Sequence, residues 1–535
     1  MKRWKTMVKE KINFKDSSLG IELGSTRIKA VIIDSDYSLI AGGEYEWENH
    51  FENGVWTYSL EEVWSGLQEA YKNLNDNVKR RYGVDILTVG SIGFSGMMHG
   101  YLPFDVEGNQ LAQFRTWRNT STQKAAEYLT SLFEFNIPLR WSVAHLYQAI
   151  LNKEDHLKKI DFFTTLSGYV HWMLTGQKVI GIGDASGMFP IDSETCDYDK
   201  EMMEKFNDVV EPLKYSWRLE NILPEIKIAG SNAGKLTDEG ARLLDPSGKL
   251  QSGIPLCPPE GDAGTGMVAT NTVLEHTGNV SAGTSIFSMV VLEKALSKYY
   301  PEIDMVTTPT GKPVAMVHCN NFTSDINDWA EMFAELAMIL GVKIKMKDLF
   351  PILFNEAMKA DSDVGKLVSC NYYSGEPITG FEKGRPLLIR APDSRLTLSN
   401  FMRSHIYSSL ATLEIGMEIL TKKEKVQIDY ILGHGGFFKT EKVGQQLMAD
   451  ALKTPTTVMK TAGEGGPWGM ALLAKYSTHK EEDESLGNYL KNKVFLNQKS
   501  KTIIPSEAGV SSFEKYMERY RLMLEVEHSA IKALG

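Results

Sequence analysis

Two short turns in the sequence combine glycine with hydroxyl residues, a composition that suits phosphate binding. They are Gly24-Ser25-Thr26 and Gly283-Thr284-Ser285. Glycine lets a phosphate approach the backbone closely, and N–H and hydroxyl groups can donate to its oxygens without a positive charge. Each turn alone is typical of an ordinary hairpin, whereas a related pair favours binding of one triphosphate from two sides. The run G-x-x-x-x-G-K-[ST] is absent, which excludes the P-loop route to ATP.

Three further residues carry groups that could act on a bound substrate. Glu22 lies just before the first turn, where its carboxylate could hold Mg²⁺ directly or through water; the alternative is an edge carboxylate facing solvent. Asp262 lies in the small-residue run 258–266 and is a candidate general base, although aspartate beside glycine is more often a turn residue. His99 lies in the segment 94–100 and could bind a sugar hydroxyl, although a lone histidine is more often structural.

The elements that must position these groups alternate between strand and helix patterns. Apolar runs at 19–23 and 28–33 flank the first turn and predict two strands. Ser59 followed by Glu62 is a capping-box pattern, which predicts the start of an amphipathic helix. A further strand is expected at 87–94. This alternation is typical of α/β architecture.

The second half of the chain repeats this plan. Residues 279–291 form a strand–turn–strand pattern around the second glycine turn, which suggests an internal duplication. The apolar run 428–432 leads into a third glycine cluster at 433–436, and a helical pattern follows it. The polar stretch 480–501 is interpreted as an insertion or linker.

Composition limits the class of protein. Of 535 residues, 42% are hydrophobic and 24% charged, proportions typical of globular proteins. The formal net charge of −10 opposes the basic footprint of a nucleic-acid-binding protein. The four cysteines are far apart and form no C-x-x-C pair, which fits a reducing cytosol. Residues 1–11 are basic but lack the apolar run of a signal peptide, so we expect a cytoplasmic protein with no membrane and no nucleic-acid partner.

Taken in order, the motifs resemble those of the FGGY family of carbohydrate kinases, in the actin-like ATPase superfamily. The resemblance extends over residues 19–474, nearly the whole chain. Its segments are the first phosphate loop at 22–29, the sugar loop of the xylulokinase branch at 94–100, the L-T-G and D-x-A-S-G segments at 174–176 and 184–187, the catalytic aspartate at 261–263, the second phosphate loop at 281–285, and the adenosine-side pattern at 433–471.

The resemblance implies a fold and its ligands. The fold is α/β, with two ribonuclease-H-like (actin-like ATPase) domains and a cleft between them. An N-terminal arm at 1–17 precedes an N-terminal domain at 18–276 and a C-terminal domain at 277–535. ATP and Mg²⁺ are the implied cofactors and a ketopentose the implied substrate, and family analogy suggests a homodimer.

The resemblance also implies roles for individual residues. Asp262 is the implied base that orients and deprotonates the sugar hydroxyl, and it shares the implied metal site with Glu22. The implied substrate contacts are Met98, His99, Trp117, Asn119 and Asp262. The implied phosphate and nucleotide contacts are Gly24, Ser25, Thr26, Lys29, Gly283, Thr284, Ser285, Gly433, Gly435 and Gly436.

Three positions depart from the family pattern. Glu22 replaces an aspartate, and the added methylene lengthens its reach to a metal or its bound water. Met97 replaces the glutamine of the sugar loop, and Asn119 replaces a carboxylate in the W-x-D segment. The last two differences bear on which hydroxyls are recognised, and hence on the identity of the sugar.

The implied function is ATP-dependent phosphorylation of a primary hydroxyl of a ketopentose, with xylulose as the first candidate substrate. Within the kinase class, the Met97 and Asn119 departures motivate an L-ribulokinase or another FGGY sugar kinase as the alternative. Two alternatives come from other classes. One is a non-kinase actin-like ATPase, which the phosphate turns alone would also fit, and the other is a catalytically weak sugar sensor, motivated by Glu22.

Overall fold

The chain folds into two compact units. The structure is a computed structural model that describes residues 13–440, 442–459, 465–498 and 500–534, so most of the predicted N-terminal arm lies outside the described residues. The first unit comprises Met1–Val273, Val306–Pro313 and Glu464–Asn497, and the second comprises Leu274–Met305, Val314–Gly463 and Gln498–Gly535. The sequence analysis placed the boundary between the domains at 276/277. The contacts instead assign Val306–Pro313 and Glu464–Asn497, which follow that boundary, to the first unit.

The strands are short and fall into two groups along the chain. The earlier group is β1 (Ser18–Leu23), β2 (Arg27–Ile33), β3 (Leu39–Glu46), β4 (His50–Glu52), β5 (Val55–Thr57), β6 (Ser91–Gly96), β7 (Leu102–Phe104), β8 (Phe162–Thr164), β9 (Val179–Gly181), β10 (Ile191–Asp192), β11 (Asp197–Tyr198), β12 (Glu225–Lys227) and β13 (Glu260–Gly261). The later group is β14 (Thr277–Ala282), β15 (Ile286–Val291), β16 (Asp304–Thr307), β17 (Pro313–Cys319), β18 (Leu367–Cys370), β19 (Leu387–Arg390), β20 (Tyr430–Gly435), β21 (Thr456–Met459) and β22 (Ser500–Ile503).

Helices connect and cover these strands. In chain order they are α1 (Leu60–Tyr82), α2 (Gln123–Phe133), α3 (Ser142–Asn152), α4 (Leu166–Thr175), α5 (Ile182–Ala185), α6 (Lys200–Val210), α7 (Leu219–Ile222), α8 (Asp238–Leu244), α9 (Asp262–Ala269), α10 (Ser324–Ile339), α11 (Met346–Ala357), α12 (Leu398–Glu418), α13 (Val443–Leu452), α14 (Gly465–His479), α15 (Leu486–Tyr489) and α16 (Glu507–Leu534). In the part of the chain that is described, no helix is both long enough and apolar enough to cross a bilayer.

A five-stranded sheet organises the first unit. Its strand order is β13-β6-β1-β2-β3, with β6 parallel to both β1 and β13, and β2 antiparallel to both β1 and β3. Helix α14 packs against β1 and β6, and α1 packs against β3. Because helices cover the sheet, five of the six residues of β1 are buried, in a nearly continuous run rather than an alternating one.

The sheet of the second unit repeats this arrangement. Its order is β16-β17-β15-β14-β20-β21-β22. Strand β15 is antiparallel to β14 and β17, whereas β20 is parallel to β14 and β21. The five strands β17-β15-β14-β20-β21 therefore match β3-β2-β1-β6-β13 in order and direction, which confirms the predicted duplication.

The local sequence accounts for the start of the first long helix. The Ser59 side chain accepts a hydrogen bond from the Glu62 N–H, and the Glu62 carboxylate accepts one from the Ser59 N–H, both at 3.1 Å. These two bonds form the predicted capping box and satisfy N–H groups that the helix itself leaves without partners. Helix α1 ends before Gly83, whose φ of 78° is a conformation that glycine adopts without strain.

Two sequence-based predictions differ from the structure. The strand expected at 87–94 begins only at Ser91, because the preceding Gly90 N–H bonds to the carbonyl of Ser17 outside the sheet ladder. The segment 480–501 is not a linker, since it contains α15 and a π-helical turn, and five apolar side chains in it are buried. They are Leu486, Tyr489, Leu490, Val494 and Phe495, and their helical spacing is the signal that the polar composition concealed.

Candidate active site

Asp262 is the first residue of α9, directly after the two-residue strand β13. Its Oδ1 atom accepts backbone hydrogen bonds from the N–H of Met98 at 3.4 Å and of Ala263 at 2.9 Å. Part of the side chain stays open to solvent, but the surrounding protein removes enough hydration to raise its pKa above the ordinary value, and the two N–H groups oppose that rise. A carboxylate in this state is suited to accept a proton from a substrate hydroxyl.

Two buried carboxyl groups support the turn that carries Asp262. Glu260 accepts the N–H of Asp184 at 3.1 Å, and the Asp184 carboxylate accepts the hydroxyls of Thr165 at 2.7 Å and Ser167 at 2.5 Å. Burial raises the pKa of Glu260 to about 8 and that of Asp184 to about 7. The sequence analysis did not single out Glu260, although a carboxyl two residues before Asp262 in a glycine-rich run was an available signal.

Glu22 lies near the carboxyl end of β1 and close enough to Asp262 for the two charges to interact. Burial, followed by the Asp262 charge, raises the pKa of Glu22 to about 7, and the neighbouring Lys29 opposes the rise. Its Oε2 atom is buried and accepts no hydrogen bond from any described residue. A buried carboxylate oxygen without a partner, beside a second carboxylate, is a donor set that suits a hard divalent cation.

Aromatic side chains hold the first phosphate turn. The Trp47 indole donates to the Gly24 carbonyl at 2.7 Å, and the Tyr58 hydroxyl donates to the Ser25 carbonyl at 2.6 Å. The Trp117 indole donates to the Ser25 hydroxyl at 3.0 Å. Trp47 and Tyr58 stack on each other with centroids 4.2 Å apart, so the carbonyl side of the turn is fixed by a rigid aromatic pair. Neither of these two residues was marked from the sequence.

His99 already has protein partners on both ring nitrogens. Nδ1 donates to the Gly187 carbonyl at 3.2 Å, and Nε2 accepts from the Arg140 guanidinium at 3.1 Å. Burial, followed by the Arg140 charge, lowers the pKa of His99 well below its ordinary value, which keeps the ring neutral. A direct hydrogen bond from His99 to a sugar would have to break one of these bonds. The geometry instead shows His99 positioning Arg140, which the sequence analysis missed.

Asn119 is also engaged by the protein. Its side chain accepts a hydrogen bond from the Trp56 N–H at 2.9 Å and donates one to the Trp56 carbonyl at 2.8 Å. The side-chain amide thus pairs with both backbone groups of Trp56, as a neighbouring strand would. It donates to the Thr116 carbonyl as well, at 3.0 Å. Both amide hydrogens are therefore used, so the sugar contact expected of Asn119 is not supported by its geometry. Met97 is 1% exposed and belongs to the core, so it does not offer a sugar contact either.

The glycine turns of the second unit lie on adjacent parallel strands. Ala282 of β14 pairs with Gly435 of β20, so Gly283-Thr284-Ser285 and Gly435-Gly436 follow neighbouring strand ends. The Gly283 carbonyl accepts the Thr323 hydroxyl at 2.7 Å, and the Thr284 carbonyl accepts the Phe322 N–H at 3.0 Å. Gly283 and Thr284 are exposed. One edge of this sheet thus presents two small-residue turns to a ligand.

Gly435 is required by its surroundings. Its φ of 103° is one that side chains of L-residues rarely adopt, and a Cβ there would lie 2.3 Å from the Ala282 carbonyl oxygen. Around Gly436, by contrast, a Cβ would meet no atom within 4 Å. Gly435 therefore packs closely against β14, while the space beside Gly436 is open. Together they form a backbone surface against which a flat ligand could lie.

Within each unit most of the predicted residues come together at one sheet edge. In the first unit the residues at or beside the ends of β1, β6 and β13 are Glu22, Gly24, Ser25, Thr26, Lys29, Met98, His99 and Asp262. Trp117 joins them through its bond to Ser25, whereas Asn119 bonds to Trp56 and Thr116. In the second unit they are Gly283, Thr284, Ser285, Gly433, Gly435 and Gly436. In both units this is the edge where parallel strands end, the usual location of ligand sites in α/β sheets.

Comparison with known proteins agrees with this geometry. The N-terminal domain of the FGGY family of carbohydrate kinases matches residues 17–268, and the C-terminal domain of that family matches residues 278–478. A xylulose kinase of Haemophilus influenzae is 21% identical over 94% of this chain and 98% of its own length. A xylulose kinase of Staphylococcus xylosus is 24% identical over 95% of this chain and 99% of its own.

A solved structure extends the similarity to the fold. The ligand-bound xylulose kinase of Lactobacillus acidophilus superposes with a TM-score of 0.78 at 15% identity, covering 97% of this chain and 99% of that chain. The predicted two-domain α/β fold of the actin-like ATPase type is thereby confirmed. With both family domains matched in order along the sequence, the chain belongs to the FGGY family of carbohydrate kinases.

Proposed function

We propose that this carbohydrate kinase transfers the terminal phosphoryl group of ATP to a primary hydroxyl of a ketopentose, and that its substrate is xylulose, giving xylulose 5-phosphate. The observation that carries the proposal is Asp262, a partly desolvated carboxylate at the start of α9, with the phosphate turn and Glu22 on the same sheet edge. The xylulose assignment is supported by the two relatives named xylulose kinase, which match nearly the whole chain.

In the proposed reaction Asp262 orients the sugar hydroxyl and accepts its proton. The hydroxyl oxygen bonds to the terminal phosphorus as the bond from that phosphorus to the bridging oxygen of ADP breaks. Phosphoryl transfer has a loose transition state, so positioning and charge stabilisation supply most of the rate, and the base adds about 10²–10⁴-fold. The Met98 and Ala263 N–H groups keep the carboxylate in one orientation.

FGGY kinases use ATP, and the two glycine turns are the proposed contacts for its phosphates. Ser25 and Thr26 supply hydroxyls on one unit, as do Thr284 and Ser285 on the other, and the exposed Lys29 adds a positive charge beside the first turn. Gly433, Gly435 and Gly436 are proposed to form the backbone surface for adenosine. Support for this last role comes from the close packing at Gly435 and the open space at Gly436.

Mg²⁺ is proposed as the accompanying metal, held by Glu22 and Asp262. The residues fit such an ion, because one oxygen of Glu22 is buried without a hydrogen bond from the described residues, and the charge of Asp262 raises the pKa of Glu22. When bound, the ion would neutralise charge on the phosphates. Glu22 is held in place by packing around it, since a Cβ on Gly466 would lie 2.1 Å from its Oε2.

The sugar is proposed to lie beside Met98 and Asp262, with Arg140 close by. Met98 is 6% exposed and packs over Gly261, where a Cβ would lie 2.3 Å from its Cγ. Arg140 is oriented by His99 and acts on the charge of Asp262. His99 and Asn119 are then positioning residues, the former for Arg140 and the latter for the strand at Trp56.

A substrate panel tests the proposal directly. ADP release from Mg-ATP is measured with ketopentoses, ketohexoses, polyols and aldoses under identical conditions. Xylulose is expected to give the highest kcat/KM, and L-ribulose in first place would establish the alternative pentulose kinase. A ketohexose or polyol in first place would overturn both. Sugar-independent ADP release would favour a non-kinase ATPase, and tight sugar binding without product would favour a sensor.

Trp117→Phe tests whether the turn at 24–26 binds ATP or the sugar. The change removes the indole N–H that bonds the Ser25 hydroxyl at 3.0 Å but keeps an aromatic ring. Because a hydrogen bond of this kind contributes about 1 kcal/mol, KM for ATP is expected to rise about five-fold. Trp64→Phe is the matched control, since it removes an indole bond to the Tyr169 hydroxyl of equal length, 3.0 Å, elsewhere in the unit. A rise in KM for the sugar alone would instead support the substrate contact predicted for Trp117.

A further inference from the structure

The turn Gly283-Thr284-Ser285 is held on its carbonyl side by two residues that follow β17. The Gly283 carbonyl accepts the Thr323 hydroxyl at 2.7 Å. The Thr284 carbonyl accepts the N–H groups of Phe322 at 3.0 Å and Thr323 at 3.4 Å. In a trans peptide the carbonyl and the following N–H point in opposite directions. The N–H groups of Thr284 and Ser285 therefore point away from this support, toward the side on which a phosphate would bind.

Asn321 directly precedes those two residues and ties them to the segment 373–376. Its Oδ1 atom accepts the N–H groups of Tyr373 at 2.9 Å and Ser374 at 3.0 Å. Its main-chain N–H and its Nδ2 both donate to Oε2 of Glu376, at 3.2 Å and 3.1 Å. Asn321 is 3% exposed, so these bonds form away from solvent, where hydrogen bonds are strong. They fix the main chain of Asn321 against the second segment.

Asn371 and Ser409 hold the same main chain from its opposite side, and both side chains are buried. The Asn371 Nδ2 donates to the carbonyls of Asn321 at 3.2 Å and Phe322 at 3.1 Å. The Ser409 hydroxyl donates to the Phe322 carbonyl at 2.6 Å. The N–H groups that follow these two carbonyls are the ones bonded to Thr284. Holding the carbonyls therefore sets the direction of the N–H groups that support the turn.

Glu376 is the fixed end of this set of contacts. Its main chain pairs with that of Phe381, donating to the Phe381 carbonyl at 2.7 Å and accepting the Phe381 N–H at 3.1 Å. Its side chain is fully buried, and burial raises its pKa to about 7. Oε1 accepts no hydrogen bond from any described residue, whereas Oε2 accepts both bonds from Asn321. Burying a carboxyl group is costly, and the bonds to Asn321 offset part of that cost.

We propose that Asn321 is a positioning residue for the phosphates of ATP and that Glu376 holds it in place. This role rests on the proposed function. Asn321 acts through the two residues that follow it, which orient the turn whose N–H groups bond to phosphate oxygens. Donors that are oriented in advance bind charge without reorganising. Trp47 and Tyr58 hold the first phosphate turn by its carbonyls as well, so the duplicated sheets share this arrangement but use different residue types for it.

Asn321→Ala is expected to raise the dissociation constant of an ATP analogue about ten-fold, the effect of losing about one hydrogen bond to a charged phosphate. The probe is a non-hydrolysable ATP analogue with Mg²⁺, titrated by calorimetry without sugar. In steady-state assays KM for ATP should rise by a similar factor. KM for the sugar should stay unchanged, because the proposed sugar contacts lie in the first unit. A residue that served stability alone would not separate the two KM values.

Asn400→Ala is the matched control for this variant. Asn400 is 1% exposed and belongs to the same unit. Its Oδ1 accepts the Asp361 N–H at 2.8 Å, and its Nδ2 donates to the Arg395 carbonyl at 2.9 Å. The change thus removes a buried amide that also joins separate segments, but whose partners are not residues of the phosphate turn. Its Tm is expected to fall about as far as that of Asn321→Ala, with wild-type affinity for the analogue.

Two substitutions of Glu376 test how it acts. Glu376→Gln keeps an oxygen that can accept both bonds from Asn321, so the dissociation constant of the analogue is expected to stay within about two-fold of the wild type. Glu376→Leu removes the acceptor and is expected to match the ten-fold rise of Asn321→Ala. Circular dichroism and Tm identify any variant that does not fold. Asn321→Ala and Asn400→Ala together keep the test decisive if Glu376→Leu is such a variant.

Three results would overturn the positioning role. The first is a folded Asn321→Ala protein that binds the analogue as tightly as the wild type. The second is an equal loss of affinity in Asn400→Ala, and the third is an equal rise of KM for ATP and for the sugar in Asn321→Ala. A wild type that binds no ATP analogue would overturn the proposed function itself and this role with it, so the two failures are distinguishable.

Discussion

Asp262→Asn is expected to lower kcat about 10²–10⁴-fold with xylulose and ATP, the range that a positioned general base contributes. Asparagine keeps the size of the side chain and an oxygen that can still accept the Met98 and Ala263 N–H groups. Substrate binding should therefore change far less than turnover. What is lost is the capacity to accept the hydroxyl proton. Steady-state kinetics with both substrates varied would separate kcat from KM.

Asp208→Asn is the control for this substitution. Asp208 is exposed on α6 in the same unit, so the change removes the same charge from the protein without touching the sheet edge. Its kcat is expected to match the wild type. An Asp262→Asn enzyme with more than about one tenth of wild-type turnover would contradict the role of general base. Loss of sugar binding with kcat preserved at saturation would instead make Asp262 a binding residue.

Gly43→Ala is expected to lower the free energy of unfolding by about 3 kcal/mol, the upper end of the usual cost of overpacking. Gly43 lies on β3 where α1 crosses the strand. A Cβ there would lie 2.2 Å from the Leu74 nitrogen and 2.3 Å from the Ala70 oxygen. Both are backbone atoms of the helix, so no side chain can turn aside, and the helix itself would have to move. Calorimetry should show a lower Tm.

The neighbouring residue supplies an internal control for Gly43. Gly42 faces the other side of the same strand, and a Cβ there would meet its closest atom, the Ala30 oxygen, at 3.6 Å, an ordinary contact. Gly42→Ala is expected to be neutral or slightly stabilising, because alanine restricts the unfolded chain more than glycine does. Equal Tm values for the two variants would show that α1 adjusts to the strand and that the close packing is not required.

Local patterns in the sequence predicted the parts of the fold that depend on neighbouring residues. The capping box at Ser59 and Glu62 and the turn at 24–26 each involve groups a few residues apart, and both were predicted correctly. The duplicated sheet was also predictable, because the strand–turn–strand pattern at 279–291 repeats the one at 19–33. In these cases the order of residues along the chain is enough to fix the structure.

The candidate site depends on contacts between distant residues, which single patterns do not reveal. Asn119 bonds to Trp56, 63 residues away, and His99 bonds to Arg140, 41 residues away. Both were expected to contact the sugar because of the family resemblance, His99 through the sugar loop and Asn119 through the W-x-D segment. The structure gives both of them protein partners. The role of Glu260 likewise depends on a distant residue, since its partner Asp184 lies 76 residues away, although its position two residues before Asp262 was a local signal.

The packing of α14 has a consequence for how the chain is made. This helix belongs to the first unit, yet it follows most of the second unit in the sequence. It packs closely against the first unit: a Cβ on Gly20 of β1 would lie 2.1 Å from the Pro467 carbonyl oxygen, and a Cβ on Gly469 would lie 2.1 Å from that of Thr265. During translation the first sheet cannot pack against α14 until the ribosome has synthesised the second unit. At about 5–20 residues per second, that synthesis takes on the order of ten seconds or more. Ribosome-bound chains ending near 273 would expose the apolar face of β1 and β6, so they are natural clients for a holding chaperone. The amino-terminal half, expressed alone, would lack the helix that completes it.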